Sequence, residues 1–184
     1  MKYEGSSFQL ALNYVAKGLP ILACDSVENR RNLNRRPFRN QGVLPAQATT
    51  DPATIAGWFL KSPMANIALP TGKASGIIGV RAEGVEGMGT LEHWMDGYDW
   101  FPESSSVDLG ATRTILYRAG ELHIDGELAL GPGVIALGEG HQVLLPPSQD
   151  DSGDYCTWDD PDDAIIAPPK WMVDLILACS EVAA

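Results

Sequence analysis

The stretch Ala65-Asn66-Ile67-Ala68-Leu69-Pro70-Thr71-Gly72-Lys73-Ala74-Ser75-Gly76-Ile77-Ile78-Gly79-Val80 decides how this chain is read. Two short apolar runs, 66–69 and 77–80, flank Pro70 to Gly76, a segment of turn-forming residues. Short apolar runs bounded by Gly and Pro read as buried strands, so the stretch predicts strand, turn, strand. Upstream, Asp51-Pro52 opens a helix. The aspartate can accept hydrogen bonds from first-turn amides, and proline has no amide to leave unpaired. Ile55, Trp58 and Phe59 form that helix's buried stripe. Further upstream, Ser6 and Ser7 are N-cap candidates for a helix carrying Phe8, Ala11, Leu12, Val15 and Ala16 at helical spacing, with Gly18 as its stop. Pro20 to Cys24 reads as a strand. Residues 25–48 are polar, arginine-rich and aperiodic, and such long loops are functional or mobile.

Downstream, Gly84, Gly87 and Gly89 are expected to break the chain before a short helix around Leu91 to Met95. Beyond Ser106 the expected strands are Thr112–Tyr117, Glu121–Ile124, Glu127–Leu130 and Gln142–Leu145, with Asp125-Gly126 as a hairpin turn. Pro168-Pro169 begins a last helix with Trp171, Met172, Leu175, Ile176 and Cys179 on its apolar side. Helices and strands mix in 1–105, and strands dominate 106–184 before that helix. The pattern predicts one α+β domain over 1–184 with a mostly antiparallel or mixed sheet, not a doubly wound fold.

Of the 184 residues, 45% are hydrophobic and 20% charged, which supports a packed core and argues against disorder. No apolar run reaches membrane-spanning length, and the N-terminus lacks a signal-peptide pattern. The three cysteines are far apart and form no CxxC, which points to a reduced, cytoplasmic setting. The net charge of −11 is unevenly spread. Residues 1–81 carry ten basic and four acidic residues, residues 82–184 three and twenty. Five of the thirteen basic residues (Arg30, Arg31, Arg35, Arg36 and Arg39) share one stretch that can track phosphates or form a solvated loop. The acidic remainder excludes a coat protein held on DNA by charge alone.

Other motifs are bland. Gly131-Pro132-Gly133 and Gly138-Glu139-Gly140 lack dinucleotide-binding spacing and read as turns. His93, His123 and His141 have no HExxH or HxxxH company. There is no GxSxG elbow. Asp159, Asp160, Asp162 and Asp163 lack the pattern of an EF-hand loop.

A larger order of segments carries more. An alanine-rich first helix and the Gly18–Ile21 run lead to Arg36-Pro37 and then Ala48-Thr49-Thr50-Asp51-Pro52-Ala53-Thr54-Ile55-Ala56-Gly57-Trp58. The 65–78 stretch, Gly138-Glu139-Gly140, Pro146-Pro147-Ser148, Ser152-Gly153-Asp154-Tyr155 and Trp158 follow. In this order the chain resembles, from about residue 8 to residue 178, the N-terminal catalytic domain of bifunctional DNA primase–polymerases. These prim-pol domains belong to the archaeo-eukaryotic primase superfamily and occur on plasmids, phages and prophages.

The resemblance implies a small α/β lobe and an RRM-like sheet lobe with a cleft between them. It also implies nucleotidyl transfer with two divalent ions, Mg²⁺ or Mn²⁺, held by carboxylates. In the family an Asp-x-Asp pair follows the Ser-Gly turn, a histidine sits on an intervening strand, and a third aspartate and an arginine come from a later one. Here those positions fall on Arg81 and Glu83, Thr114, Ile135 and Leu137. One carboxylate, Glu83, remains, and Arg81 can pair with it in the metal's place. The resemblance places Arg36, Arg113, Thr71, Gly72, Ser75 and Gly76 on the cleft rim as nucleotide-binding candidates, and Arg30, Arg31, Arg35 and Arg39 beside a template strand.

These losses predict a catalytically degenerate, replication-associated module with no metal. Its expected partners are a nucleotide, a single-stranded nucleic acid or a replication protein such as a helicase, and no membrane. Two alternatives stay open. One is an active primase–polymerase with relocated acids, Asp108 or Glu139. The other is a mobile-element-derived interaction protein without a ligand.

Overall fold

The computed structural model describes residues 6–24, 47–97, 104–150 and 152–183. The arginine-rich stretch, and with it Arg30, Arg31, Arg35, Arg36 and Arg39, lies outside the described residues. Four α-helices and nine strands occur among those described. Helix α1 spans Ser7–Ala16, with the Ser6 hydroxyl accepting from the Gln9 amide. Helix α2 spans Pro52–Lys61, and the Asp51 carboxylate caps the amides of Ala53 and Thr54. Those hydrogen bonds, first among them the one from the Thr54 hydroxyl, hold the Asp51 carboxyl below its ordinary value. Both helix starts fall where the sequence predicts them.

Strands β1 (Leu22–Cys24), β2 (Asn66–Pro70) and β8 (Gln142–Leu145) form an antiparallel sheet with β2 at its centre. Strands β3 (Ile77–Glu83), β4 (Ser106–Leu109), β5 (Thr112–Arg118), β6 (Glu127–Gly131), β7 (Val134–Leu137) and β9 (Thr157–Trp158) form a second, in the order β6-β7-β3-β5-β4-β9. Every pair of named strands is antiparallel. The α+β class therefore holds.

Two clusters make the core. One face of the six-stranded sheet, with Ile77, Leu116 and Leu137, packs with Ile67, Leu69, Val143 and Leu145 of the smaller sheet and with Ile55 and Phe59 of α2. The other face, with Ile78, Val80, Ile115, Tyr117 and Ala136, is covered by Leu91 of helix α3 (Gly84–Gly97) and by Met172 and Ile176 of helix α4 (Lys170–Ala183). Strand alternation separates the two sets.

Several expectations need correction. Gly84, Gly87 and Gly89 do not break the chain: α3 runs through them. Gly87 serves close packing instead, since a Cβ there would lie 2.2 Å from the Gly133 carbonyl oxygen. Glu121–Ile124 is not a strand, so Asp125-Gly126 closes no hairpin. The β6–β7 hairpin turns instead at Pro132-Gly133, and β7 is a strand the sequence pattern did not separate from its turns. Strand β3 also extends three residues past the apolar run, through Arg81 to Glu83.

Candidate functional site

Strand β3 is central, with β5 on one side and β7 on the other. Its register places Arg81 opposite Thr114 on β5 and opposite Ile135 on β7. Gly79, two residues earlier, lies opposite Leu116 and Leu137. Arg81, Thr114 and Ile135 thus form one row across three strands, on the face turned toward the smaller sheet. Directly paired side chains in a sheet lie about 5 Å apart. A cluster of carboxylates could be built on such a row. This row carries a guanidinium, a hydroxyl and an isoleucine.

The guanidinium of Arg81 reaches Glu83 at 3.7 Å, Nη1 to Oε1. That is an ion pair too long for a hydrogen bond, and Arg81 donates no hydrogen bond to the described residues. Nearby space is taken by apolar groups. A Cβ on Gly79 would meet the methyl groups of Thr114 at 3.1 Å and Val143 at 3.4 Å.

Beside this row lies a cavity of about 350 Å³ between β8, the edge strand of the smaller sheet, and strands β3, β4 and β5. Arg81 and Thr114 are among its polar lining residues and Val107, Leu109 and Val143 among its apolar ones, and Gln142 borders it from β8. Asp150 borders it as well, but its Oδ1 accepts from the amides of Ser152, Gly153 and Asp154. Gln142 donates from Nε2 to Cys24 Sγ at 3.6 Å, while its Oε1 is buried without a partner. Nothing in the sequence marks Gln142, Val107 or Leu109 as site residues. Gln142 comes to this cavity because two sheets meet, and Val107 and Leu109 because β4 lies beside β5.

The other candidates are arranged differently. Thr71 is buried and its hydroxyl donates to the Gly138 carbonyl at 2.6 Å. In the 71–76 turn, the Gly72 amide donates to Ile77, the Lys73 amide to the Glu139 carboxylate at 2.8 Å, and the Gly76 amide to Gly72. Ser75 donates its hydroxyl to the Pro70 carbonyl. The turn already holds an anion of the chain's own, Glu139. Gly72, at φ +82°, leaves no room for a Cβ against that residue. Arg113, expected on the same rim as Thr71 and Gly72, lies on the opposite face of β5 from Thr114, because adjacent residues of a strand point to opposite sides. There it forks onto Asp108 with two bonds of 2.8 Å and reaches Asp159 at 3.4 Å. The Asp108 hydrogen bond raises the Arg113 pKa above its ordinary value, against the opposing effect of burial.

The fold agrees with one comparison. The family of bifunctional DNA primase/polymerase N-terminal domains, Prim-Pol, matches residues 11–171. The chain belongs to the Prim-Pol family. No curated protein matches it. Among the described residues no three His, Cys, Asp or Glu side chains gather into a metal-sized group, and no helix is long and apolar enough to cross a membrane.

Among the described residues, this row does not offer the carboxylates that the divalent ions of Prim-Pol chemistry would need. Hard divalent ions take several oxygen ligands. Glu83 offers one carboxylate beside a guanidinium, and the cross-strand neighbours of Arg81 carry no second one. Neither substitute acid stands in this row: Asp108 serves Arg113 and Glu139 serves the 71–76 turn.

Proposed function

We infer that this Prim-Pol domain no longer transfers nucleotides and works as a replication-associated binding module for a nucleotide or a single-stranded nucleic acid. The two sheets are the two lobes of this reading and the Arg81 cavity is its cleft. The observation that carries it is the row Thr114–Arg81–Ile135, in which Arg81 and Ile135 stand at two of the family's three carboxylate positions and Thr114 at its histidine position. Arg30, Arg31, Arg35, Arg36 and Arg39 supply the basic stretch for a phosphate backbone. The setting is the reduced cytoplasm, with a helicase or another replication protein as a further partner.

Primer synthesis and extension test this, with dNTPs or NTPs, Mg²⁺ or Mn²⁺, and Glu83→Ala alongside. No incorporation by either protein is expected. Calorimetric titration with Mn²⁺ should show nothing tighter than about millimolar, the weak end for carboxylate sites. Incorporation abolished by Glu83→Ala would overturn the reading.

A further inference from the structure

A second cavity, of about 180 Å³, lies at the other end of β5, between the end of α1 and the loop that follows β9. It shares no lining residue with the cavity beside Arg81. Tyr14 and Ser105, both buried, form its floor. Leu19, Trp158 and Ile165 give it apolar walls.

The neutral polar groups here are already engaged. The Trp158 indole N–H donates to the Tyr14 hydroxyl at 3.1 Å, and that hydroxyl donates to the Pro146 carbonyl at 2.6 Å. Ser105 donates its hydroxyl to the Asp163 carbonyl. What remains is three charged side chains in the lining: Lys17, Arg118 and Asp163.

The backbone fixes where they stand. Arg118 follows Leu116 by two residues, so it shares the face of β5 that packs with α1 and Trp158. Its Nε donates to the Ile165 carbonyl at 3.1 Å, which leaves its two outer nitrogens. The Ala164 and Ile166 carbonyls accept from the amides of Ser105 and Arg118, so this segment is extended and Asp163 shares its side with Ile165. Lys17 is one turn beyond Tyr14 on α1. Among the described residues, none of the three charges forms an ion pair, although all border one cavity.

A single exposed cation is solvated and marks no site. Two cations and a carboxylate around one apolar cavity constrain the occupant further. A bare carboxylate would meet Arg118 but also Asp163 and the nearby acids Asp159, Asp160 and Asp162. A bare amine would meet Asp163 but also both cations. A zwitterion answers both signs and brings no net charge. The volume is below the roughly 300 Å³ at which drug-sized sites begin, so the occupant is small. We propose that this cavity binds a free α-amino acid with an apolar side chain. Its carboxylate lies on the outer nitrogens of Arg118 with Lys17 nearby, its ammonium on Asp163, and its side chain against Leu19, Trp158 and Ile165. The site is separate from the Arg81 cavity and its ligand is of another class.

Calorimetric titration of the whole chain with L-leucine tests this. Two truncated analogues accompany it, isoamylamine without the carboxylate and 4-methylpentanoate without the ammonium. Each should bind at least about tenfold more weakly than leucine, the loss of one charge-assisted contact. Glutamate and lysine should bind as weakly, because their charged ends would enter the apolar wall. Arg118→Met should weaken leucine binding about ten- to a hundredfold. Asp163→Asn should erase the preference for leucine over 4-methylpentanoate, an effect that a merely structural role would not produce. Thermal unfolding checks that both variants fold.

No leucine binding at about 10 mM overturns the proposal. So does equal binding of leucine and its two truncated analogues, or leucine binding that both variants leave unchanged. The primer assay bears only on the Arg81 cavity, so either proposal can fail without the other.

Discussion

Arg81 and Arg113 sit on neighbouring strands of one sheet, and both side chains are 28% exposed. Burial does not distinguish them, yet their environments are opposites. On the helix-covered face, Arg113 has a carboxylate fork at 2.8 Å and a second acid nearby. On the sheet-facing side, Arg81 has among the described residues one ion-pair contact at 3.7 Å, and a cavity beside it. A half-buried charge normally finds partners, because desolvation left uncompensated is costly. The helix-covered face has met that demand and reads as structure. The sheet-facing side has left it open, and an open demand is what a ligand fills.

The covered face should tolerate the least change, and α3 offers the sharpest way to break the comparison. Gly87 and Gly89 are two residues apart. A Cβ at Gly87 meets the Gly133 oxygen at 2.2 Å, whereas one at Gly89 meets nothing within 4 Å. Overpacking costs about 1–3 kcal/mol or more, against a helix-propensity gain of at most about 1 kcal/mol for glycine to alanine. Gly87→Ala should therefore destabilise by about 2 kcal/mol in urea unfolding, while Gly89→Ala stabilises slightly. Equal effects at the two sites would mean that the face is not tightly packed.

The same pair of glycines shows what was legible beforehand. Caps, turn residues and short apolar runs act locally, so Ser6, Asp51-Pro52 and the 65–80 stretch announced α1, α2, β2 and β3. Gly87 looked like a breaker because its reason to be glycine is Gly133, forty-six residues away. Glu121–Ile124 alternates like a strand but lies outside the sheets, which no local pattern reveals. At the site, the resemblance picked out Arg81, Thr114 and Ile135 one by one, and strand register made them a row. Gln142 and the apolar walls were invisible, since β8 arrives from the other sheet and Val107 and Leu109 from β4, two strands away from β3. Arg113 went to the wrong face in expectation because a rim position was inferred without strand parity.

Cys156 tests whether the unmet demand at Arg81 reflects loose packing. This thiol belongs to the cluster between the sheets and is fully buried. Burial, with help from the charge of Asp150, pushes its pKa from 9.0 up to about 12. A thiol that stays neutral in the folded protein but ionises at 9.0 when unfolded stabilises the fold fully below pH 9. That contribution is lost as pH rises from 9 toward 12. Raising the pH from 8 to 10 should cost about 1 kcal/mol of unfolding free energy, and Cys156→Ala should flatten that slope. A flat profile in the parent protein would mean that water reaches the thiol, and Arg81 would then be solvated rather than waiting for a partner.

The smallest effect separates the two arginines most directly. Double-mutant cycles measure the coupling within a pair without charging either residue for its other contacts. For Arg113–Asp108, a bidentate charge-assisted pair discounted for its partial exposure, the coupling should be about 1 kcal/mol. For Arg81–Glu83, with Glu83 53% exposed and no hydrogen bond formed, it should fall below about 0.5 kcal/mol and vanish at high salt. Removing Arg81 alone should then leave stability nearly unchanged, since there is little for it to lose. If the two couplings came out equal, the contact to Glu83 would be the purpose of Arg81. Its fork would be committed and the cavity would hold no unmet donor. If they differ as the distances demand, the fold has kept a half-buried arginine that contributes almost nothing to its own stability, and the ligand is its remaining physical justification.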